Sequence, residues 1–201
     1  MMSQQLLLAF IVFASVMYFT PGPNNIMALS SGLTYGFRPT LPLIAGITVG
    51  CALMVAVAGI GFGTLFVAYP LLQTILKYAG AAYLVYLAAM IAMSEPVTPG
   101  QDNHRRPMTF WGAVLFQWVN VKGWVMVIGT ITAYAGIASF PWNIVIQVAL
   151  CLLLGVVSPA IWALSGSSLR WLMTSKSAVR AFNIVMAILL LASLYPVFMA
   201  A

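Results

Sequence analysis

Long apolar runs separated by brief polar breaks organise this chain. They extend from about Gln4 to Phe19, Leu41 to Ala68, Leu71 to Met93, Met108 to Tyr134, Trp142 to Leu164 and Val179 to Met199. A helix needs about 20 apolar residues to cross a bilayer, so the pattern predicts an all-α, polytopic membrane protein with about six transmembrane helices. The second run is long enough to require tilt. The first run ends at Thr20-Pro21-Gly22-Pro23-Asn24-Asn25, and apolar character resumes at Ile26. Each proline removes a backbone donor and clashes with the preceding turn, so the first helix is expected to be broken or sharply kinked there.

Composition removes the alternatives to a membrane location. Of 201 residues, 63% are hydrophobic and 5% charged, against about 25% charged in a soluble domain. No separate soluble domain fits, and residues 1–201 read as one membrane domain. Its halves, 1–93 and 108–201, are joined by the hydrophilic loop 94–107, which holds both acids, Glu95 and Asp102, with His104, Arg105 and Arg106. The N-terminal run lacks a basic leader and a cleavage site, and is read as a first crossing. A net charge of +6 would suggest nucleic acid in a soluble protein, but here the cations sit in loops. Arg38, Arg105, Arg106, Arg170, Lys176 and Arg180 follow the odd-numbered runs, against Lys77 alone on the other side. Cytoplasmic loops are enriched in Lys and Arg, so both termini are expected to face the periplasm.

The two halves show a faint internal repeat. Thr20, at the polar break of run one, and Asn120, at the equivalent depth of run four, lie about a hundred residues apart, and runs two and five each carry glycine midway. Three crossings per half make the halves antiparallel, which is the inverted-repeat arrangement of many secondary transporters.

Lys122 is the most informative residue. It falls near the middle of run four, where a lysine costs at least ~2.5 kcal/mol on insertion scales. Glu95 and Asp102 are both in the loop, so its counter-charge must be backbone carbonyls, water or a ligand, and a substrate carboxylate suits it. Gln117, Asn120 and Gly123 cluster around it in sequence. At the first break, a helix N-terminus near Asn24 or Asn25, with Asn24 as N-cap, would offer N–H groups and positive dipole to an anion. Irregular backbone at membrane depth is tolerated where it lines a cavity or is covered by protein.

Other features have plainer readings. Gly46, Gly50, Gly59, Gly61 and Gly63 allow close helix packing. Trp118 and Trp124 flank Lys122 and are placed to shape a pocket, and Pro159 is expected to kink run five. Cys51 and Cys151 read as small buried thiols, with no disulfide framework or metal site. No metal-protease motif or intramembrane acid pair is present, and the single histidine is in the loop, so no enzyme is expected. A channel or metal permease would line its path with carboxylates or histidine, and a non-transporting assembly protein has no use for a midplane lysine.

Phe19-Thr20-Pro21-Gly22-Pro23-Asn24-Asn25 near the start, Asn120-Val121-Lys122 in run four, the length and the loop together resemble the LysE/RhtB family of bacterial amino-acid exporters, nearest its cysteine and O-acetylserine branch. The resemblance implies efflux of small neutral amino acids through the inner membrane, driven by the proton motive force, with no cofactor. Threonine or homoserine remains the alternative cargo, and a homodimer the candidate assembly. It also marks Pro21, Gly22, Pro23 and Asn24, with Asn120 and Lys122, as site residues, joined in our reading by Asn25 and Gln117. Lys122 would pair with the substrate carboxylate, while Asn24, Asn120 and freed carbonyls would receive its ammonium. Two departures stand out. Val121 replaces a proline common in the family, so the break expected there is removed, and Asn24 stands where many members have an acid.

Overall fold

The computed structural model describes residues 3–62, 69–93, 107–172 and 175–192, all helical or in short connections. In chain order the helices are α1 (Gln4–Phe19), α2 (Pro23–Tyr35), α3 (Phe37–Val57), α4 (Pro70–Ala92), α5 (Phe110–Val119), α6 (Val121–Ala133), α7 (Trp142–Leu172) and α8 (Lys176–Ala192). The stretches Phe37–Gly61 and Trp142–Leu169 are each long and apolar enough to span a bilayer. Two further spans qualify as bent pairs: α1 with α2 at 48°, and α5 with α6 at 69°. Helices α4 and α8 add the shorter apolar stretches Tyr78–Ala92 and Ser177–Ala192. The loop residues Glu95, Asp102, His104, Arg105 and Arg106, with Gly63 and the tail beyond Ala192, lie outside the described residues.

Polarity is distributed inside out relative to a soluble protein. Leu152, Leu153, Val156, Val157, Ile161 and Leu164 of α7 face outward, while Asn25, Thr48, Gln117, Asn120, Gln147 and Ser158 are buried. Lipid is as apolar as leucine, so helices associate through close packing and internal hydrogen bonds. Small residues make the packing possible. A Cβ on Gly32 would lie 2.1 Å from the Ala163 carbonyl oxygen, and one on Gly166 would lie 2.0 Å from that of Leu29, so α2 and α7 pack backbone to backbone. Gly46 and Gly50 do the same for α3 against α5, meeting Phe110 and Val114.

The predicted segments require three corrections. Run two does not continue as one regular helix: α3 begins at Phe37 and gives way at Ala58–Phe62 to a π-turn in which Gly61 has φ 122°. Gly61 serves that left-handed backbone and not packing, since a Cβ there would meet nothing within 4 Å. Run four is broken despite Val121. Asn120 leaves the helix at φ −79°, ψ 99°, and its side chain accepts a hydrogen bond from the Gly123 N–H, capping α6. Gly80 of α4 presses on the same bend, where a Cβ would be 2.1 Å from the Val119 carbonyl oxygen. An asparagine cap thus replaces proline as the helix breaker. Run five continues to Leu172 through Pro159. That proline cannot bond the Gly155 carbonyl, which accepts instead from Thr48 Oγ1 on α3 at 2.6 Å.

Candidate functional site: two helix breaks face each other

The last turn of α1 leaves carbonyls without an intrahelical partner, and those of Tyr18, Thr20 and the following Pro21 acquire donors from elsewhere in the fold. Asn25 Nδ2 donates to the Tyr18 and Thr20 carbonyls at 2.6 and 3.0 Å, and Ser158 Oγ of α7 donates to Tyr18 at 2.7 Å. Lys122 adds a third donor group. Its Nζ donates to the Thr20 carbonyl at 3.0 Å, the Thr20 hydroxyl at 2.9 Å and the Pro21 carbonyl at 3.2 Å. A cation therefore sits on the negative end of the α1 dipole, a favourable placement for it.

The side chain reaches that position because Gly22 has no Cβ. One placed there would stand 2.8 Å from Lys122 Cδ and 2.9 Å from Nζ. Gly22 is also the N-cap of α2, with Pro23 in its first turn. Asn24 is therefore not the N-cap. Its amide instead pairs reciprocally with Gln117 of α5: Asn24 Nδ2 donates to Oε1 at 3.0 Å, and Gln117 Nε2 donates to Oδ1 at 3.1 Å. Gln117 Oε1 also accepts from Asn120 Nδ2 at 3.2 Å and Cys51 Sγ at 3.3 Å. This fully buried glutamine ties α2, α3 and α5 to the second break.

A cavity of about 30 Å³ opens between the breaks, lined by Gly22, Pro23, Asn24, Asn25, Asn120, Lys122 and Gly123, with Met17, Tyr18, Ile47, Cys51, Met126 and Pro159. At roughly 10–15 Å³ per water, it admits two or three waters and no amino acid.

A family model described as LysE type translocator matches residues 15–193. This chain belongs to the LysE type translocator family. Among its relatives is the cysteine/O-acetylserine efflux protein of Escherichia coli (strain K12), 35% identical over 195 residues, covering 94% of this chain and 95% of that protein. The protein of the same name from Escherichia coli O157:H7 is 35% identical over 196 residues, covering 94% and 96%. No solved structure matches. A translocator of this family, with apolar helices and bent spans, is a multi-pass membrane protein and not an enzyme.

In this LysE type translocator the fold brings the eight sequence-derived site residues together. Pro23, Asn24, Asn25, Gly22, Asn120 and Lys122 line the cavity, Pro21 contributes its carbonyl to Lys122, and Gln117 stands behind the wall. Trp118 and Trp124 do not line it. Their rings meet edge to face at 5.9 Å, and Trp124 Nε1 donates to the Trp118 carbonyl at 2.8 Å, closing the outside of the second bend. Sequence reading passed over the sulfur-bearing wall formed by Met17, Met126 and Cys51. The cysteine had a signal, because Cys51 and Cys151 are separated by the same hundred residues as Thr20 and Asn120.

Proposed function

We propose that this translocator exports small neutral amino acids of the cysteine and O-acetylserine kind by alternating access, with the zwitterion held between the two helix breaks. The observation that carries the reading is the Lys122 ammonium seated on the Thr20 and Pro21 carbonyls beside the cavity. An arriving α-ammonium wants the acceptors that Lys122 already occupies, and an α-carboxylate wants Lys122. Binding is then an exchange. The substrate ammonium takes the carbonyl end of α1 and Lys122 turns onto the carboxylate, so the net charge in the hydrocarbon region does not change. A substrate with a cationic side chain adds a charge that the amides of Asn24, Asn25, Gln117 and Asn120 cannot neutralise. The relatives named as cysteine/O-acetylserine efflux proteins support the substrate class, and the thioether and thiol wall suits a short, polarisable side chain.

The cavity is too small for the substrate, so the halves 1–93 and 108–201 rock apart to admit it. The excess of basic residues in the odd-numbered connections supports entry from the cytoplasm, with both termini periplasmic in the inner membrane. Inner-membrane vesicles loaded with labelled cysteine, O-acetylserine, threonine or homoserine, with and without a pH gradient, test the reading. Lys122→Gln and Lys122→Ala are expected to slow release of the preferred substrate by about tenfold or more, on the scale of losing a charge-assisted contact. Unchanged release in both variants overturns the assignment.

A further inference from the structure

Helix α7 carries a buried polar stripe that the cavity does not account for. Asn143, Gln147 and Cys151 recur every four residues and therefore share one face, and Ser158 continues the line to the cavity. Gln147 is 0% exposed and Asn143 is 9% exposed. The amide N–H groups of both are used: Gln147 Nε2 donates to the Thr130 and Tyr134 carbonyls at 3.3 and 3.2 Å, and Asn143 Nδ2 donates to Ala135 at 3.2 Å. Those contacts fix which way each amide is turned. The buried acceptors, Gln147 Oε1 and Asn143 Oδ1, have no hydrogen-bond partner among the described residues.

The stripe has two defined ends. On the inner side Cys151 Sγ meets the Tyr18 hydroxyl, Ser158 Oγ bonds the Tyr18 carbonyl and Asn25 Oδ1, and Tyr18 and Asn25 both line the cavity. At the other end α7 begins after the turn that holds Ile137, whose carbonyl accepts from the Ser3 N–H at 2.8 Å. The start of α1 and the start of α7 therefore share a membrane face, the one that the charge asymmetry assigns to the exterior.

We propose that Gln147 and Asn143 form an exit subsite that receives the ammonium of the departing amino acid on its way from the Lys122 cavity to the outer face. Two buried acceptors without donors call for a ligand rich in N–H groups, and the spans contain no carboxylate to compete for it. The proposal rests on the export reading above. A purely structural role, in which Gln147 only ties the end of α6 to α7, predicts instead that neither position is hydrated.

The test is thiol labelling of the full-length protein in right-side-out vesicles. Gln147→Cys and Asn143→Cys are treated with a membrane-impermeant charged methanethiosulfonate. The lipid-facing Leu153→Cys and the wild type, with its two native thiols, set the background. Both polar-stripe variants are expected to label about tenfold faster than Leu153→Cys, because only a hydrated thiol ionises and reacts, and saturating O-acetylserine is expected to slow them. Labelling of both variants no faster than Leu153→Cys, or labelling that O-acetylserine leaves unchanged, overturns the subsite. Two positions keep the test readable if one variant fails to fold. Absence of amino-acid release from wild-type vesicles would instead overturn the export reading, while the labelling rates still report whether the stripe is hydrated.

Discussion

At Lys122 a cation within an apolar helix pair is answered without any carboxylate, by three oxygens of Thr20 and Pro21. The arrangement depends on Gly22 being flat against the lysine stem. Gly22→Ala places a methyl 2.8 Å from Lys122 Cδ and displaces a flexible side chain, not backbone. The variant is expected to fold with little change in thermal midpoint while transport falls by about tenfold, since misplacement of a positioning group by about an ångström has costs of that order or more. Normal transport in vesicles would show that Lys122 does not need this seat. Gln117 has the opposite profile. Gln117→Leu leaves Asn24, Asn120 and Cys51 without their shared partner, and a buried polar group left unpaired costs about 1–3 kcal/mol. A lower midpoint in detergent melting is the expected result.

At the scale of elements, each break carries its own substitute for lost helix bonds. The first uses two prolines and fills the exposed carbonyls from Asn25, Ser158 and Lys122, while the second uses the Asn120 cap and the Trp124 indole. A proline was thus visible in sequence as a breaker, whereas Asn120 was not, because an asparagine also occurs inside helices and only the fold shows its side chain capping α6. The third interruption, Pro159, supports a paired prediction. Thr48→Val removes the donor to the Gly155 carbonyl and is expected to destabilise the protein by about 1–2 kcal/mol. Pro159→Ala restores an N–H at that position, so the double variant is expected to recover most of the loss. A double variant as unstable as Thr48→Val would show that the Gly155 carbonyl is not the cause. Melting of the four proteins in one detergent reads the coupling.

For the whole molecule, the Ser3 to Ile137 contact places the start of α1 beside the α6–α7 connection. The charge asymmetry predicts the orientation. With an impermeant thiol reagent, Ser139→Cys in the α6–α7 connection is expected to label from outside intact cells. Ser177→Cys at the start of α8 is expected to label only after permeabilisation. The reverse pattern would invert the topology and the direction of transport with it.

The run of apolar residues by itself determined the all-helical membrane class, the positions of most segments and the first break, because insertion energy and proline chemistry act locally. The isolation of Lys122 was equally legible, since the acids are both outside the spans. Only the tertiary structure decided what answers that lysine. Its partners lie about a hundred residues away, at the end of a helix whose carbonyls are orphaned, and such groups have no signature in side-chain sequence. The asparagine-capped second break, the pairing of Asn24 with Gln117 and the polar stripe of α7 were decided there too. Each depends on which backbone and amide groups are left without partners once the helices have packed.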